Sequence, residues 1–377
     1  MTDIPATYES SRERFRASAN SISDRWTGCR LISHSLADSP DLTIDVISAD
    51  ATREKQKLLI LTTGLHGIEG YVGAAVLQLF IEEYLPRLDP QTTGLLLVHP
   101  INPYGMKHRA RVNKNSVDLN RNFEDDLSAL KDLNPHYESL APLLNPARPL
   151  KSPLYEKLVF LWNVLKALPK GARHIRETAL MGQYRMRDGM YFGGFEPQEE
   201  TQFVQRTVTN SISGYAQIVF LDIHTGYGPR WQMTLVNPPS EKMSAKETAA
   251  RFGVPRVAGV NPEEFYTIHG DMVEYFRKRV QEKHPEKKIY AAAFEFGAYG
   301  DSLLQSIHSL RTTVFENCLR WRGGDASMRE WMKREYDELF IPSDPQWLKK
   351  AESDARQALD GILRAEGFFK ESNSYFE

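Results

Sequence analysis

Short apolar runs alternate with amphipathic stretches along the central part of the chain. Residues 57–69 begin as an apolar strand and run into a glycine turn, and residues 94–99 form a second apolar run. Between them, residues 71–85 carry apolar side chains at helical spacing. This order predicts a right-handed β-α-β unit with parallel strands. Further apolar runs at 217–222 and 289–296 extend the predicted sheet, which makes the fold class α/β.

The flanking segments have other patterns. Residues 30–35 and 42–48 alternate apolar and polar positions around a turn, which predicts an antiparallel hairpin at a sheet edge. Prolines interrupt residues 124–190, so we interpret this stretch as a mainly helical insertion. Residues 301–377 have helical patterns and form a predicted C-terminal extension. We expect residues 1–377 to make a single catalytic domain.

Composition narrows the functional classes. The 377 residues are 41% hydrophobic, which suffices for a large core. Lysine and arginine number 47 against 49 acidic residues, and no basic block exists, so nucleic acid is not expected as a partner. No stretch is apolar enough for a signal peptide or membrane span, so we expect a cytoplasmic protein without a membrane partner. Cys29 and Cys318 are expected to be free thiols.

Metal-ligand residue types occur at the ends of the predicted strands. His66 and Glu69 lie three residues apart in the glycine turn, and His224 follows the apolar run 217–222. A single histidine at a strand end is more often structural, but zinc takes imidazole and carboxylate ligands, and catalytic sites use three of them. Together these residues predict one zinc ion.

The spacing of His66 and Glu69 is not unique. His174 and Glu177 repeat it, although in a stretch of helical composition with no adjoining strand. The glycines around the first pair (Gly64, Gly67 and Gly70) favour it, because glycine permits a sharp turn that brings both ligands to one ion.

Other polar residues suit catalysis. Glu295 lies inside an apolar strand, where a carboxylate is either a buried salt-bridge partner or a general base. The loop after residue 99 carries Arg111, Asn120 and Arg121. These side chains are either solvated or bind a carboxylate or an oxyanion, for which guanidinium geometry is suited.

Five motifs occur in a recognisable order over residues 57–300: HGIE, NPYG, RVNKNSVDLNRNF, LDIHTG and FEFG. In this order they resemble the zinc carboxypeptidase family, and a bacterial branch more than the secreted digestive enzymes. The resemblance implies a three-layer α/β/α sandwich around a twisted, mixed and mainly parallel sheet. Tyr104 stands where the family has aspartate, and the insertion at 124–190 is longer than expected.

The resemblance also implies individual roles. His66, Glu69 and His224 would bind the zinc ion, and Glu295 would be the general base. Arg111, preferred to Arg109 for its distance from Asn120, would polarise the scissile carbonyl and stabilise the oxyanion. Asn120 and Arg121 would hold the terminal carboxylate of the substrate. Tyr266, assigned to substrate binding, and Tyr227 are the candidates for the family's catalytic-loop tyrosine.

These roles predict a zinc-dependent hydrolase that cleaves a peptide or amide bond next to a free carboxylate, using water activated by zinc. An alternative with the same ligands is an N-acyl amino acid deacylase of the aspartoacylase type. The expected substrate is thus a peptide or an N-acyl amino acid. A second alternative is an inactive metal-binding interaction module that docks through residues 124–190.

Overall fold

A computed structural model describes residues 4–259 and 269–370 and contains a sheet of eight strands. In chain order the strands are β1 Arg30–Leu36, β2 Ser39–Ala49, β3 Lys57–Thr63, β4 Thr93–His99, β5 Gln217–Gly226, β6 Thr234–Val236, β7 Val257–Ala258 and β8 Lys288–Gly297. Their order across the sheet is β1-β2-β4-β3-β5-β8-β6-β7.

Twelve α-helices lie within the described residues. They are α1 Tyr8–Ser23, α2 Gly70–Leu79, α3 Pro103–Lys107, α4 Ala141–Leu144, α5 Pro153–Ala167, α6 Ala172–Leu180, α7 Glu199–Ile212, α8 Ala245–Phe252, α9 Met272–Lys283, α10 Leu303–Arg322, α11 Ala326–Phe340 and α12 Pro345–Ala365. None of the helices in the described ranges is both long and apolar enough to cross a bilayer.

The centre of the sheet is parallel and its edges are mixed. Strand β3 pairs in parallel with β4 and β5, and β5 pairs in parallel with β8. The hairpin of β1 and β2 joins β4 in antiparallel fashion and forms one edge. The predicted β-α-β unit, the edge hairpin and the mixed, mainly parallel sheet are therefore confirmed.

Helices cover both faces of the sheet. Alternate side chains of β3 enter opposite cores, Leu59 and Leu61 on one face and Leu58 and Ile60 on the other. Helices α1, α2 and α12 close the first core, whereas α7 and α9 close the second. Because a strand buried on both faces needs a layer on each side, the arrangement is the predicted three-layer α/β/α sandwich.

A third core joins the insertion to the C-terminal helices. Side chains of α4, α5 and α6 pack with those of α10 and α11, and Ile68 from the turn after β3 enters the same cluster. Helix α6 ends at Leu180, and Gly182 shortly after it takes a positive φ of 84°. The assignment of these parts to one domain stays a prediction.

The turn after β3 depends on its glycines in two different ways. Gly64 has φ of 68°, which confirms that a sharp turn needs glycine there. Gly70 is helical, with φ of −57°, so the expectation of a sharp turn at this position is wrong. Gly67 is needed for close packing, since a Cβ atom there would lie 2.2 Å from the backbone of Gly105.

Replacing Gly67 with alanine tests this packing. We expect Gly67→Ala to lower the free energy of unfolding by about 2 kcal/mol or more, because the backbone of Gly105 cannot move aside freely. The matched control is Gly28→Ala, since a Cβ atom at Gly28 meets nothing within 4 Å. Urea denaturation of both variants measures the difference, and equal midpoints would contradict the packing argument.

Candidate metal centre

Three buried side chains bring their donor atoms together at the carboxyl ends of β3 and β5. Nδ1 of His66 lies 2.9 Å from Oε1 of Glu69, and Nδ1 of His224 lies 3.0 Å from Oε2 of Glu69. The two Nδ1 atoms are 3.2 Å apart. Within the described residues this is the one group of three or more such side chains that could hold a metal ion.

The spacing of these atoms suits a tetrahedral ion. Zinc bonds of 2.0–2.1 Å in tetrahedral geometry place neighbouring ligand atoms about 3.3 Å apart. The observed separations of 2.9 to 3.2 Å are close to that value. The residues therefore fit a zinc ion, and they would leave a fourth position for another ligand.

Each imidazole has a carboxylate on its other nitrogen. Nε2 of His224 lies 2.6 Å from Oδ2 of Asp222, which is an ion-pair contact rather than a well-aligned hydrogen bond. The other oxygen of Asp222, Oδ1, accepts a hydrogen bond from the Thr62 hydroxyl. Nε2 of His66 lies 3.2 Å from Oδ1 of Asp118. Such outer carboxylates orient metal-binding histidines so that the opposite nitrogen faces the ion.

Nε2 of His66 also lies 2.6 Å from Nη2 of Arg111. A carboxylate only accepts and a guanidinium only donates, so this nitrogen makes one of the two hydrogen bonds in each tautomer. When Nδ1 binds a ligand with its lone pair, Nε2 carries the proton and donates to Asp118. Nη2 of Arg111 then has no acceptor on His66.

The charged groups of the site are buried close together, so they shift one another's pKa values. Burial alone raises the pKa of Glu69, but His66 and His224 outweigh it and hold the pKa well below its usual value. Burial lowers the pKa of His224, yet Asp222 and Glu69 raise it well above the usual value. Burial raises the pKa of Asp118, but the neighbouring Arg111 and His66 outweigh it and hold this pKa well below its usual value.

Glu295 lies on the strand next to His224. The two residues are register partners in the parallel pairing of β5 and β8, so their side chains leave the same face of the sheet. Phe294 and Phe296 enter the core on the opposite face. Burial and the nearby Glu69 carboxylate raise the pKa of Glu295 to about 7, although its Oε1 accepts from the Tyr227 N–H at 3.1 Å. A carboxyl group with this pKa exchanges protons readily near neutral pH.

Arg111 contacts the cluster of candidate metal ligands, His66, Glu69 and His224, directly. Its Nε donates to Asp118 at 3.0 Å, and its Nη1 donates to Glu69 at 3.3 Å. The Asn102 side chain helps to fix it, because Nδ2 donates to the Arg111 carbonyl. Arg109 instead turns toward Asp337, so the structure brings Arg111, the residue preferred from its sequence spacing, to the cluster.

Arg121 is a buried cation with unusual partners. Its Nη atoms donate to the carbonyl oxygens of Asn120 and Leu180, and its Nε has no hydrogen-bond partner. No carboxylate in the described parts of the chain forms an ion pair with it. The Asn120 side chain donates to Asp271 and accepts from the N–H of Met272, so it joins this loop to the start of α9.

Tyr191 packs against both arginines. Its ring lies 5.0 Å from the guanidinium of Arg111 and 5.7 Å from that of Arg121. Its backbone has a left-handed φ of 54°, which is uncommon for tyrosine and typical of functional sites. The Tyr191 hydroxyl lies 2.5 Å from that of Tyr227, which also contacts Thr313.

The structure separates the remaining residues that the sequence proposed for the site. Tyr227 lies beside Glu295 and Tyr191, whereas Tyr266 lies outside the described residues. The rival pair is not a metal site: His174 packs against the ring of His136, and Glu177 pairs with Arg173 on the exposed side of α6.

Two residues of the site, Asp118 and Tyr191, were not identified from the sequence. Asp118 was available as the acid two residues before Asn120 in the same motif. Tyr191 carried no signal, because its neighbours in space are distant along the chain.

Solved structures with related folds are distant from this chain. Bovine thrombin-activatable fibrinolysis inhibitor is 14% identical, with 85% of this chain and 96% of that chain covered and a TM-score of 0.46. A metallo-carboxypeptidase from Burkholderia cenocepacia is 11% identical, with 82% and 68% covered and a TM-score of 0.41. An aspartoacylase family protein from Mesorhizobium loti is 12% identical, with 79% and 70% covered and a TM-score of 0.37. None of these likenesses is close enough to assign an activity.

Sequence comparison gives the family. None of the curated proteins matches the chain. The profile of one protein family, described as "Protein of unknown function (DUF2817)", matches residues 5–353. Because this match spans most of the sequence, the chain belongs to the DUF2817 family.

Proposed function

We propose that this protein is a zinc-dependent hydrolase that cleaves a peptide or amide bond next to a free carboxylate. The observation that carries the proposal is the convergence of His66, Glu69 and His224 beside a buried glutamate of raised pKa, Glu295. Structural salt bridges also perturb carboxyl groups, but a cluster of metal-ligand residue types with a buried carboxyl group beside it is the arrangement that metal-assisted hydrolysis uses.

His66 Nδ1, His224 Nδ1 and the Glu69 carboxylate would hold the zinc ion. A bound zinc ion supplies Lewis acidity, which polarises a carbonyl oxygen and acidifies a water molecule. Glu295 takes the proton of the attacking water and returns it to the leaving nitrogen, since it is a carboxyl group on the strand beside His224.

Arg111 is positioned to stabilise the developing negative charge. Once Nε2 of His66 donates to Asp118, Nη2 of Arg111 is free to donate to a substrate oxygen. The other nitrogens of Arg111 remain fixed by Asp118 and Glu69. A donor that is held in place before the reaction stabilises an oxyanion without reorganisation during it.

Arg121 would bind the free carboxylate. Its buried guanidinium has an unused Nε and no ion-pair partner among the described residues. A substrate carboxylate would supply the missing charge and accept from that donor, which is the strongest type of hydrogen bond available to it. Asn120 stays a predicted second contact, although its side chain already bonds Asp271 and Met272.

The burial of the centre also bears on the type of substrate. His66 and His224 are only 4% and 5% exposed, and Tyr191 packs beside Arg111. The interior of a long polypeptide cannot approach such a centre without rearrangement, whereas a chain end or a small molecule needs less space. This favours action at a terminus, and it keeps the N-acyl amino acid deacylase as the second candidate.

Substitution of the proposed base separates catalysis from metal binding. We expect Glu295→Gln to retain one zinc ion per chain and to lose about 100-fold or more in kcat, because the proton acceptor is removed while the ligands remain. Glu200→Gln is the matched control, since Glu200 is another buried glutamate whose pKa burial raises, but it bonds Asn113. Full turnover by the Glu295 variant would refute its role.

The proposed carboxylate site has its own test. We expect Arg121→Gln to lower kcat/KM by about 100-fold for substrates with a free carboxylate and to change it little for their amidated analogues. Arg109→Gln serves as the control, because Arg109 is a half-buried arginine of the same connection that pairs with Asp337. Assays of peptides and of N-acyl amino acids side by side also distinguish the two candidate activities. An equal loss for both members of each substrate pair would assign Arg121 a structural role.

A further inference from the structure

Helix α5, in the insertion, is apolar on two opposite sides. Its inner side places Phe160, Val164 and Ala167 in the third core, against the C-terminal helices. Its outer side carries six large apolar residues that are each between 43% and 72% exposed. They are Leu154, Tyr155, Leu158, Leu161, Trp162 and Leu165. A surface helix normally turns its apolar side to the core and a polar side to water, so an apolar outer side is expected to have a partner.

The six exposed residues form one continuous stripe. At 3.6 residues per turn they cover about 120° of the helix circumference over roughly 17 Å of its length. Single exposed apolar side chains are common on soluble proteins, but a contiguous patch on the order of several hundred Å² marks an interaction surface.

The charged side chains around the stripe indicate what kind of partner covers it. Lys157 and Lys166 lie just beyond its two edges, and Lys151 and Lys170 lie near the two ends of the helix. The acidic residue of the helix, Glu156, is buried and is bound by Arg148 at 2.7 Å. One lysine therefore stands at each edge of the stripe and one near each end of the helix, whereas the helix adds no exposed acidic side chain.

A second copy of this chain is a poor fit to that border. Two α5 helices paired about a two-fold axis would bring the flanking lysines of one copy against those of the other, which is unfavourable. A surface with anionic groups above an apolar layer is complementary instead. Lysine stems extend along apolar material while their ammonium groups reach the charged layer, and Trp162 and Tyr155 suit the boundary between the two.

We propose that the outer stripe of α5 binds the surface of a bilayer containing anionic phospholipids. The helix lies in the plane of the interface, with its leucines among the acyl chains and its lysines at the phosphate groups. This proposal departs from the sequence-based expectation of no membrane partner, which rested on the lack of a signal peptide and of a segment that spans a bilayer. The hydrolase centre plays no part in the binding.

Vesicle co-sedimentation of the full chain tests the proposal. The wild-type protein is expected to sediment with vesicles made of equal parts phosphatidylcholine and phosphatidylglycerol, and much less with phosphatidylcholine alone. Leu158→Glu with Leu165→Glu should lower the bound fraction at least tenfold, because two charges enter the apolar stripe. Lys157→Gln with Lys166→Gln should weaken only the binding to the anionic vesicles.

The matched control is Leu303→Glu with Leu304→Glu, which adds the same charges at exposed leucines of α10 and should leave binding unchanged. Circular dichroism checks that each variant is folded. Undiminished binding by the α5 variant, or no binding by the wild type, would overturn the proposal. Light scattering tests the alternative that a second copy covers the stripe. A doubled mass that the α5 substitutions abolish, together with no vesicle binding, would overturn the proposal and assign the stripe to a second copy.

Discussion

The contact of the Glu69 carboxylate with Nδ1 of His66 and of His224 is the interaction on which the rest of the site depends. Three carboxylates touch the two imidazoles, those of Glu69, Asp118 and Asp222, and Arg111 supplies one compensating charge. Two negative charges are left in a buried place, where uncompensated charge is costly. A divalent cation balances them while both imidazoles stay neutral. The raised pKa of His224 is consistent with this excess of negative charge around it.

The fold brings these groups together through its parallel centre. Strands β3, β4 and β5 run in the same direction, so the turn with His66 and Glu69, the loop with Arg111 and the end of β5 with His224 all reach one edge of the sheet. Backbone bonds then fix their mutual position, since the N–H groups of Gly67 and Ile68 donate to the carbonyls of Arg111 and Ala110. Ile68 ties the same turn to the third core, which links the insertion to the geometry of the site.

Much of this arrangement was accessible from the sequence because it follows from local pattern. Apolar runs that end in glycine and a ligand-type residue identified both the strand ends and the cluster of His66, Glu69 and His224. The pattern did not reveal Tyr191, whose position beside Arg111 depends on how the insertion returns to the sheet. It also could not give the tautomer of His66 or the partners of Asn120, because these depend on side-chain geometry rather than on spacing.

The central claim is that the three ligand residues bind one zinc ion. The most direct measurement is the zinc content of the purified protein by atomic emission, with the His224→Ala variant prepared in parallel. The account predicts one zinc ion per wild-type chain, little in the variant, and a rise in the wild-type melting temperature when zinc is restored to stripped protein. Wild-type protein without zinc, and with an unchanged melting temperature on its addition, would contradict the account.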